Sequence, residues 1–281
     1  MIDVIVPIYN GVHVLKNCLE SLEKHQKGID NIYLINDAST DEKIKAVLEY
    51  YIKNNKWNLI EHEKNQGFVK TANEGLKLSD QHTLLLNSDT VVTKNWIRSF
   101  KQCIERVDQL GTATAWSNNA EICSFPQFLK NNKIPKRVDR LSVQLSKNYK
   151  ATYPEIPTAV GFCMLISKSA KQKIGYFDED HFGHGYGEEN DYSLRIKEAG
   201  LKNVLCDNAY VAHIGNVSFV DLGLKPDMST MSRLLEKHPS YNDLIQEYLK
   251  SDPLASIREK ILETFLLYDY DLYVELIKNG K

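Results

Sequence analysis

The segment GYGEENDYSLR, residues 185–195, places three carboxylates in four positions: Glu188, Glu189 and Asp191. Like charges this close repel, and a chain needing only a soluble helix would intersperse lysines. At about 3.6 residues per turn, Glu189, Tyr192, Ile196 and Ala199 fall on one stripe, and Glu188, Asp191 and Arg195 on the next. Asp191 and Arg195 stand four apart and can pair along the helix. Glu188 lies in the first turn, where negative charge suits the helix dipole. Glu189 shares its stripe with Tyr, Ile and Ala and so turns inward. An inward carboxylate costs free energy unless it has a partner or a task. Burial also raises its pKa and makes it a better proton acceptor. Glu189 is therefore the candidate general base, with Glu188 beside it where loop meets helix.

A second set of polar residues follows short apolar runs: Asn10, Asn36-Asp37 and Asn87-Ser88-Asp89. Each alone reads as a loop cap. Together they put Asp37 and Asp89 at one edge, because ligands of open α/β sheets bind outside the carboxyl ends of the strands. Neither G-x-G-x-x-G nor G-x-x-x-x-G-K-[ST] occurs, so the usual backbone cradle for phosphate is missing. Phosphates in this crevice then need a cation, and a carboxylate can hold Mg²⁺ or Mn²⁺. Asp89 sits where such an ion would be held. His213 ends the run AYVAH and reads either as a buried, hydrogen-bonded histidine or as a ligand. His181 and His184 in HFGHGYG lack an H-E-x-x-H pattern, and the flanking glycines suit a loop that closes over a ligand. Trp116 opens WSNNAE after a strand and is a candidate ligand-facing residue. Trp57 and Trp96 read as packing.

Positioning these groups requires an alternation of strands and helices. Residues 2–8, 32–35, 58–60 and the HTLLL of 82–86 read as short buried strands. Residues 12–22, 44–52, 68–78 and 94–107 carry helical periodicity. The β-α-β-α order predicts an α/β fold with a mainly parallel sheet and helices on both faces. Beyond residue 110 the pattern becomes irregular, with strands near 112–116, 158–168 and 208–215. Residues 124–157 hold prolines and the basic cluster KIPKRVDR and read as one long surface segment. From Met228 onward the pattern is helical; either a boundary near residue 220 divides the chain into a 1–220 domain and a 221–281 helical extension separable from catalysis, or the tail packs on the sheet.

The bulk numbers agree with a folded enzyme-sized chain. Of 281 residues, 42% are hydrophobic and 26% charged, and the net charge is -2, so no global field favours nucleic acid. The five cysteines are scattered, with no C-x-x-C, which suits a reducing, cytoplasmic compartment rather than a disulfide framework. No run approaches the ~20 apolar residues of a membrane span.

Five motifs, VIVPIYNG, INDASTD, NQGFVKTANEG, LLLNSDT and GYGEENDYSLR, stand in that order. They resemble the inverting glycosyltransferases of family 2, and the resemblance covers roughly residues 1–219. It implies a GT-A, Rossmann-like fold, with residues up to about 110 binding a nucleotide-sugar donor and about 111–220 receiving the acceptor. By that resemblance Pro7, Tyr9, Asn10 and Asp37 surround the donor's base and ribose, Asp37 accepting from the base. Lys70 approaches the base or diphosphate. Asn87-Ser88-Asp89 takes the place of the D-x-D metal motif, with Asn87 departing from it, so Asp89 is the metal-facing member. His213 completes the coordination of Mn²⁺ or Mg²⁺, and Glu189 holds the place of the base. The donor expected is of the UDP or dTDP type. The acceptor expected is a glycan or a lipid-linked sugar of bacterial surface polysaccharide. The basic segment 130–140 reads as a peripheral membrane contact or as a solvated charged face. Two other readings stand: a sugar nucleotidyltransferase, disfavoured because PIYNGVHVL lacks a Gly-rich basic loop, and a non-catalytic sugar-nucleotide-binding domain.

Overall fold

The computed structural model describes residues 1–183, 185–215 and 228–279. The first half alternates β1 (Ile2–Ile8), α1 (Val12–His25), β2 (Ile32–Asn36), α2 (Glu42–Asn54), β3 (Asn58–Glu61), α3 (Phe68–Leu78) and β4 (His82–Leu86). After β5 (Thr90–Val91) come α4 (Trp96–Arg106), β6 (Leu110–Trp116), α5 (Val138–Asn148) and β7 (Cys163–Ile166). Then follow α6 (Lys168–Ile174), α7 (Glu179–Phe182), α8 (Glu188–Glu198), β8 (Lys202–Tyr210) and β9 (Ala212–His213). Four helices end the described chain: α9 (Met228–Lys237), α10 (Tyr241–Ser251), α11 (Ala255–Tyr268) and α12 (Tyr270–Asn279).

Among the described residues seven strands form the main sheet, in the order β3-β2-β1-β4-β7-β6-β8. All run parallel except β7, which is antiparallel to both β4 and β6. The apolar run of β1 is buried along its whole length, as a strand with helices on both faces must be. Val4, Val6 and Ile8 enter one apolar cluster with α1 and α2, whereas Ile5 enters the other with α3, α6 and α8. The parallel pairings Pro7↔Ile35 and Ile5↔Leu85 bring the carboxyl ends of β1, β2 and β4 to one edge. A separate pairing, Thr90↔His213, joins β5 to β9 and lays the end of the chain's second half across that edge.

Three expectations change. The segment 124–157 contains α5, whose Leu141 and Leu145 are fully buried; its proline-rich and basic flanks hide an ordinary i,i+4 apolar pair. The proposed boundary near 220 lies outside the described residues, but the tail is not a separate layer. Leu254, Ile261, Phe265, Leu272 and Leu276 belong to one sheet-face cluster, and Leu234 and Tyr241 to the other. Burying such a side chain contributes roughly 1.5–3 kcal/mol, so the tail is a structural part of both cores. Trp116 is the third. Its strand β6 lies between β7 and β8 with both faces covered, so alternation gives it no wet side. It is fully buried, donates Nε1–H to Asp207 O at 3.2 Å and packs on Phe125. It presents no face to a sugar.

Candidate active site

A cavity of about 600 Å³ opens at the shared strand edge, a size suited to a small-molecule ligand. Pro7 and Tyr9 from the end of β1, Asp37 after β2 and Asn87-Ser88-Asp89 after β4 line it, as do Glu188 and Glu189 of α8 and His213 of β9. Two of the expected residues lie elsewhere or do other work, and a third is not described. Asn10 is spent on the neighbouring loop: its Oδ1 accepts from Thr40 N at 2.9 Å and Asp41 N at 3.2 Å, and its Nδ2 donates to Thr40 Oγ1. It does not line the cavity, because a side chain that satisfies a turn's amides is turned away from the crevice. Lys70 is exposed on α3 and also absent from the lining; Thr71, the next residue, faces in instead. His184 lies outside the described residues.

Asp37 carries a bond set that long-range contacts supply. Its Oδ1 accepts from His62 Nδ1 at 2.7 Å and Gln66 N at 2.8 Å, and its Oδ2 from Gly67 N at 2.9 Å. The motif NQG thus hangs the start of α3 on Asp37. A carboxylate offers about four acceptor positions, so one remains, on Oδ2. His62 in turn contacts Glu74 at 2.7 Å. Burial alone would lower its pKa, but the two carboxylates more than offset this and raise it. His62 was not found from sequence: EHEKNQG carries no periodic or motif signal that links it to a residue 25 positions earlier.

At the neighbouring strand end, Asp89 and His213 face each other. His213 Nδ1 contacts Asn119 O at 2.7 Å, which directs Nε2 towards Asp89. Nε2 stands 3.3 Å from Asp89 Oδ1, long for a hydrogen bond, and this buried Oδ1 has no hydrogen-bond partner. Burial lowers the His213 pKa, yet the Asp89 carboxylate and the Asn119 carbonyl raise it above its ordinary value. Asn118 holds the His213 backbone from both sides, accepting its N–H at 2.9 Å and donating to its carbonyl at 2.9 Å. An orphaned carboxylate oxygen beside an oriented imidazole fits a divalent cation whose other ligands come from a bound diphosphate or water.

The two glutamates line the same cavity. Gly187, at φ 92°, makes the left-handed turn into α8. Tyr192 and Ile196 are fully buried below Glu189, and a Cβ at Gly111 would meet Ile196 Cγ2 at 2.4 Å, so α8 lies tight on β6. Ser193 Oγ donates to Glu189 O at 2.6 Å and accepts from Ala159 N at 2.9 Å. Glu188 is only 6% exposed, so it is more than a solvated charge at a helix start. Burial and the Glu189 charge push the Glu188 carboxyl well above its usual range, and burial also raises Glu189, which accepts a hydrogen bond from Glu188. The two carboxyls are therefore a coupled pair in which burial disfavours ionising both. Both Oε2 atoms are buried without a partner. Glu121, which sequence reasoning passed over, lines the same cavity and raises Glu189 further. Asp191 pairs with Arg195 at 2.8 Å.

Five buried polar atoms of the cavity residues, Thr71 Oγ1, Asn87 Oδ1, Asp89 Oδ1, Glu188 Oε2 and Glu189 Oε2, lack partners. Buried polar groups are ordinarily satisfied, so their concentration in one crevice marks a ligand site. Asp37, Asp89, Glu121, Glu188 and Glu189 put five carboxylates around it, and no lysine or arginine lines it among the described residues.

Comparison with known proteins agrees with this geometry. The family model described as Glycosyl transferase family 2 matches residues 3–175. An uncharacterized glycosyltransferase, YwdF of Bacillus subtilis, is 28% identical over 240 residues, 84% of each chain. The poly-beta-1,6-N-acetyl-D-glucosamine synthase of Staphylococcus epidermidis is 23% identical over 64% of this chain and 42% of its own. Among solved structures, GalNAc-T7 with UDP, GalNAc and Mn²⁺ superimposes with a TM-score of 0.64 at 16% identity, covering 98% of this chain and 58% of that one. The sheet with its flanking helices is the GT-A arrangement, and the chain belongs to glycosyl transferase family 2.

Proposed function

We propose that this glycosyltransferase is metal-dependent and inverting, moving a sugar from a uridine or thymidine diphosphate sugar to a hydroxyl of a glycan or lipid-linked acceptor. The observation that carries the reading is the charge imbalance of the cavity: five carboxylates and no lysine or arginine among the described lining residues. A diphosphate cannot enter such a field unless a cation accompanies it. Asp89 and His213 would hold Mn²⁺ or Mg²⁺, which neutralises the diphosphate as it departs. Pro7, Tyr9 and Asp37 receive the base and ribose. The free acceptor position of Asp37 Oδ2 suits the N3–H of uracil or thymine, which cytosine lacks. Asn87 and Ser88 complete the donor end.

Glu189 takes the proton of the acceptor hydroxyl. The acceptor oxygen bonds to the anomeric carbon as the bond from that carbon to the diphosphate oxygen breaks, and the diphosphate leaves with the electron pair. A single displacement inverts the configuration and requires one base. Glu188 stands beside Glu189 in the same cavity. Residues up to about 110 serve the donor and about 111–220 the acceptor. The relative named as a poly-beta-1,6-N-acetyl-D-glucosamine synthase supports a role in bacterial polysaccharide synthesis, which we place in the cytoplasm, on the supply side of the cell surface. Incubation with a panel of nucleotide sugars and Mn²⁺, read as release of free nucleoside diphosphate, tests this. Turnover of a uridine or thymidine donor is expected, and turnover of cytidine donors alone would overturn the base assignment.

A further inference from the structure

We propose that Lys237 and His238 of the C-terminal tail are positioning residues that hold the base Glu189 in place by clamping both ends of the glycine-rich loop before it; this rests on Glu189 acting as the base. Gly185, Tyr186 and Gly187 all have positive φ, 104°, 67° and 92°. A loop of this composition gains little stiffness from its own backbone, yet it ends directly at Glu188 and Glu189. Something outside it must fix its two ends.

One ammonium does so. Lys237 Nζ lies 2.7 Å from Asp178 Oδ2, before the loop, and 2.7 Å from Asp191 Oδ1, after it. It also sits 5.6 Å from the ring centre of Phe182, which is buried where the loop begins. Asp178 caps α7, accepting from Asp180 N at 3.2 Å and His181 N at 3.1 Å. His238 Nε2 makes a second contact to Asp191 Oδ1, at 2.9 Å. Asp191 is fully buried and two residues from Glu189 in the same helical turn. Its Oδ2 accepts from Arg195 on its own helix, so Oδ1 is the half of the carboxylate given over to the tail.

The rest of α8 is secured without the clamp. Tyr192 OH reaches Gly175 O at 3.1 Å, Asn203 Nδ2 reaches Ser193 O at 2.8 Å, and Ile196 lies against Gly111. Beyond Asp191 the tail reaches α8 through His238 Nδ1, 3.6 Å from the exposed Glu198 Oε1; Lys237 acts at the loop end, where Glu189 is. Buried ion pairs return little net stability compared with apolar packing of the same volume, and their best-attested use is to fix one arrangement among several. Apolar contact supports the same placement, since Leu234 of α9 enters the cluster of Phe182, Tyr192 and Ile196. The turn after His238 then delivers Tyr241, a buried residue that feels the charges of Glu121 and Glu189. The tail thereby lies within electrostatic reach of the carboxylates of the site.

The test compares Lys237→Met and Lys237→Arg in the full chain, with hydrogen exchange of the 178–191 peptides, donor-hydrolysis kinetics and UDP affinity in Mn²⁺. Lys237→Met is expected to raise exchange in 178–191 alone and to lower kcat by about 10-fold or more, as a misplacement near 1 Å does. The donor KM and UDP affinity should stay within about two-fold, and Lys237→Arg should restore kcat. Unchanged exchange in 178–191 overturns the clamp, whatever the identity of the base. Raised exchange with wild-type kcat overturns the positioning role, as does a loss of kcat shared equally with UDP affinity. Failure of the base reading shows separately, as an undiminished rate in Glu189→Gln. If Lys237→Met is insoluble, His238→Leu, which removes the second contact to Asp191 Oδ1, is measured in the same way with the same criteria.

Discussion

Replacing His62 with alanine should destabilise the protein by about 2–4 kcal/mol, and the figure follows from the bonds around Asp37. The His62 and Asp37 side chains are each 5% exposed and meet at 2.7 Å. Hydrogen bonds to a charged group contribute about 1.5–3 kcal/mol each. Two backbone donors, from Gln66 and Gly67, remain on Asp37, so the cost stays below the 3–5 kcal/mol or so of a fully stranded buried charge. The second contact, to Glu74, is 40% exposed on the glutamate side and adds at most about 1 kcal/mol. For a chain of this size the melting temperature should fall by roughly 4–16 °C. The loss must depend on pH. The folded-state pKa of His62 lies above its ordinary 6.5, so its stabilisation is full below that value and fades as pH rises through the folded pKa. Calorimetric unfolding of wild type and His62→Ala at pH 6 and pH 9 checks this, with Asp37→Asn closing a double-mutant cycle. A loss under about 0.5 kcal/mol at pH 6, or one that grows with pH, would refute the reasoning.

Further outcomes follow from the rest of the site and the tail. Glu189→Gln should lose roughly 10²–10⁴-fold in transfer or donor hydrolysis with UDP affinity near wild type, and Glu188→Gln should fall less, as steady-state kinetics will show. The rate should rise with pH, with a midpoint above the ordinary glutamate value of 4.5 because burial and Glu121 raise Glu189; a kcat profile with a midpoint at or below 4.5 contradicts this. Burial favours protonating Asp178 and Asp191, but Lys237, His181, His238 and Arg195 hold both below their ordinary 3.8. Their stabilisation is therefore present above 3.8 and lost as pH falls below it, which acid titration of folding at 178–191 should reveal. Truncation at residue 222 should yield insoluble protein, and Phe265→Ala should cost about 3–5 kcal/mol in denaturant unfolding, because Phe265 is fully buried against Phe125.

The first half of the fold was legible because its signals are local. Short apolar runs closed by polar residues mark β1, β2 and β4, and the helical period over 68–78 coincides with α3. What such local signals cannot do is separate a ligand-facing polar residue from a loop cap. Asn10 and Asp37 both follow strands, yet Asn10 serves the turn at Thr40 while Asp37 faces the cavity. Lys70 and Thr71 are neighbours on α3, and a rotation of one residue decides which enters. Trp116 followed from treating a strand end as an exposed edge, when the strand is interior. Helical period predicted an inward stripe through Glu189, but the structure buries Glu188 and Asp191 of the neighbouring stripe more deeply than Glu189, and the company of Asp191 was not legible at all. Lys237 and His238 lie 46 and 47 residues further along, and no periodicity connects them. Long-range ionic partners such as these, and His62 with Asp37, exist only once the chain has folded.

The most direct measurement is a calorimetric titration of UDP into wild type and Asp89→Ala, each with Mn²⁺ and with EDTA. The carboxylate-lined cavity without a lining lysine or arginine predicts binding to wild type in Mn²⁺, a sharp loss of it in Asp89→Ala, and little binding to either protein in EDTA. Wild type binding UDP equally well in EDTA, or Asp89→Ala retaining the full effect of Mn²⁺, would contradict the assignment of Asp89 as the residue that brings a cation to the diphosphate.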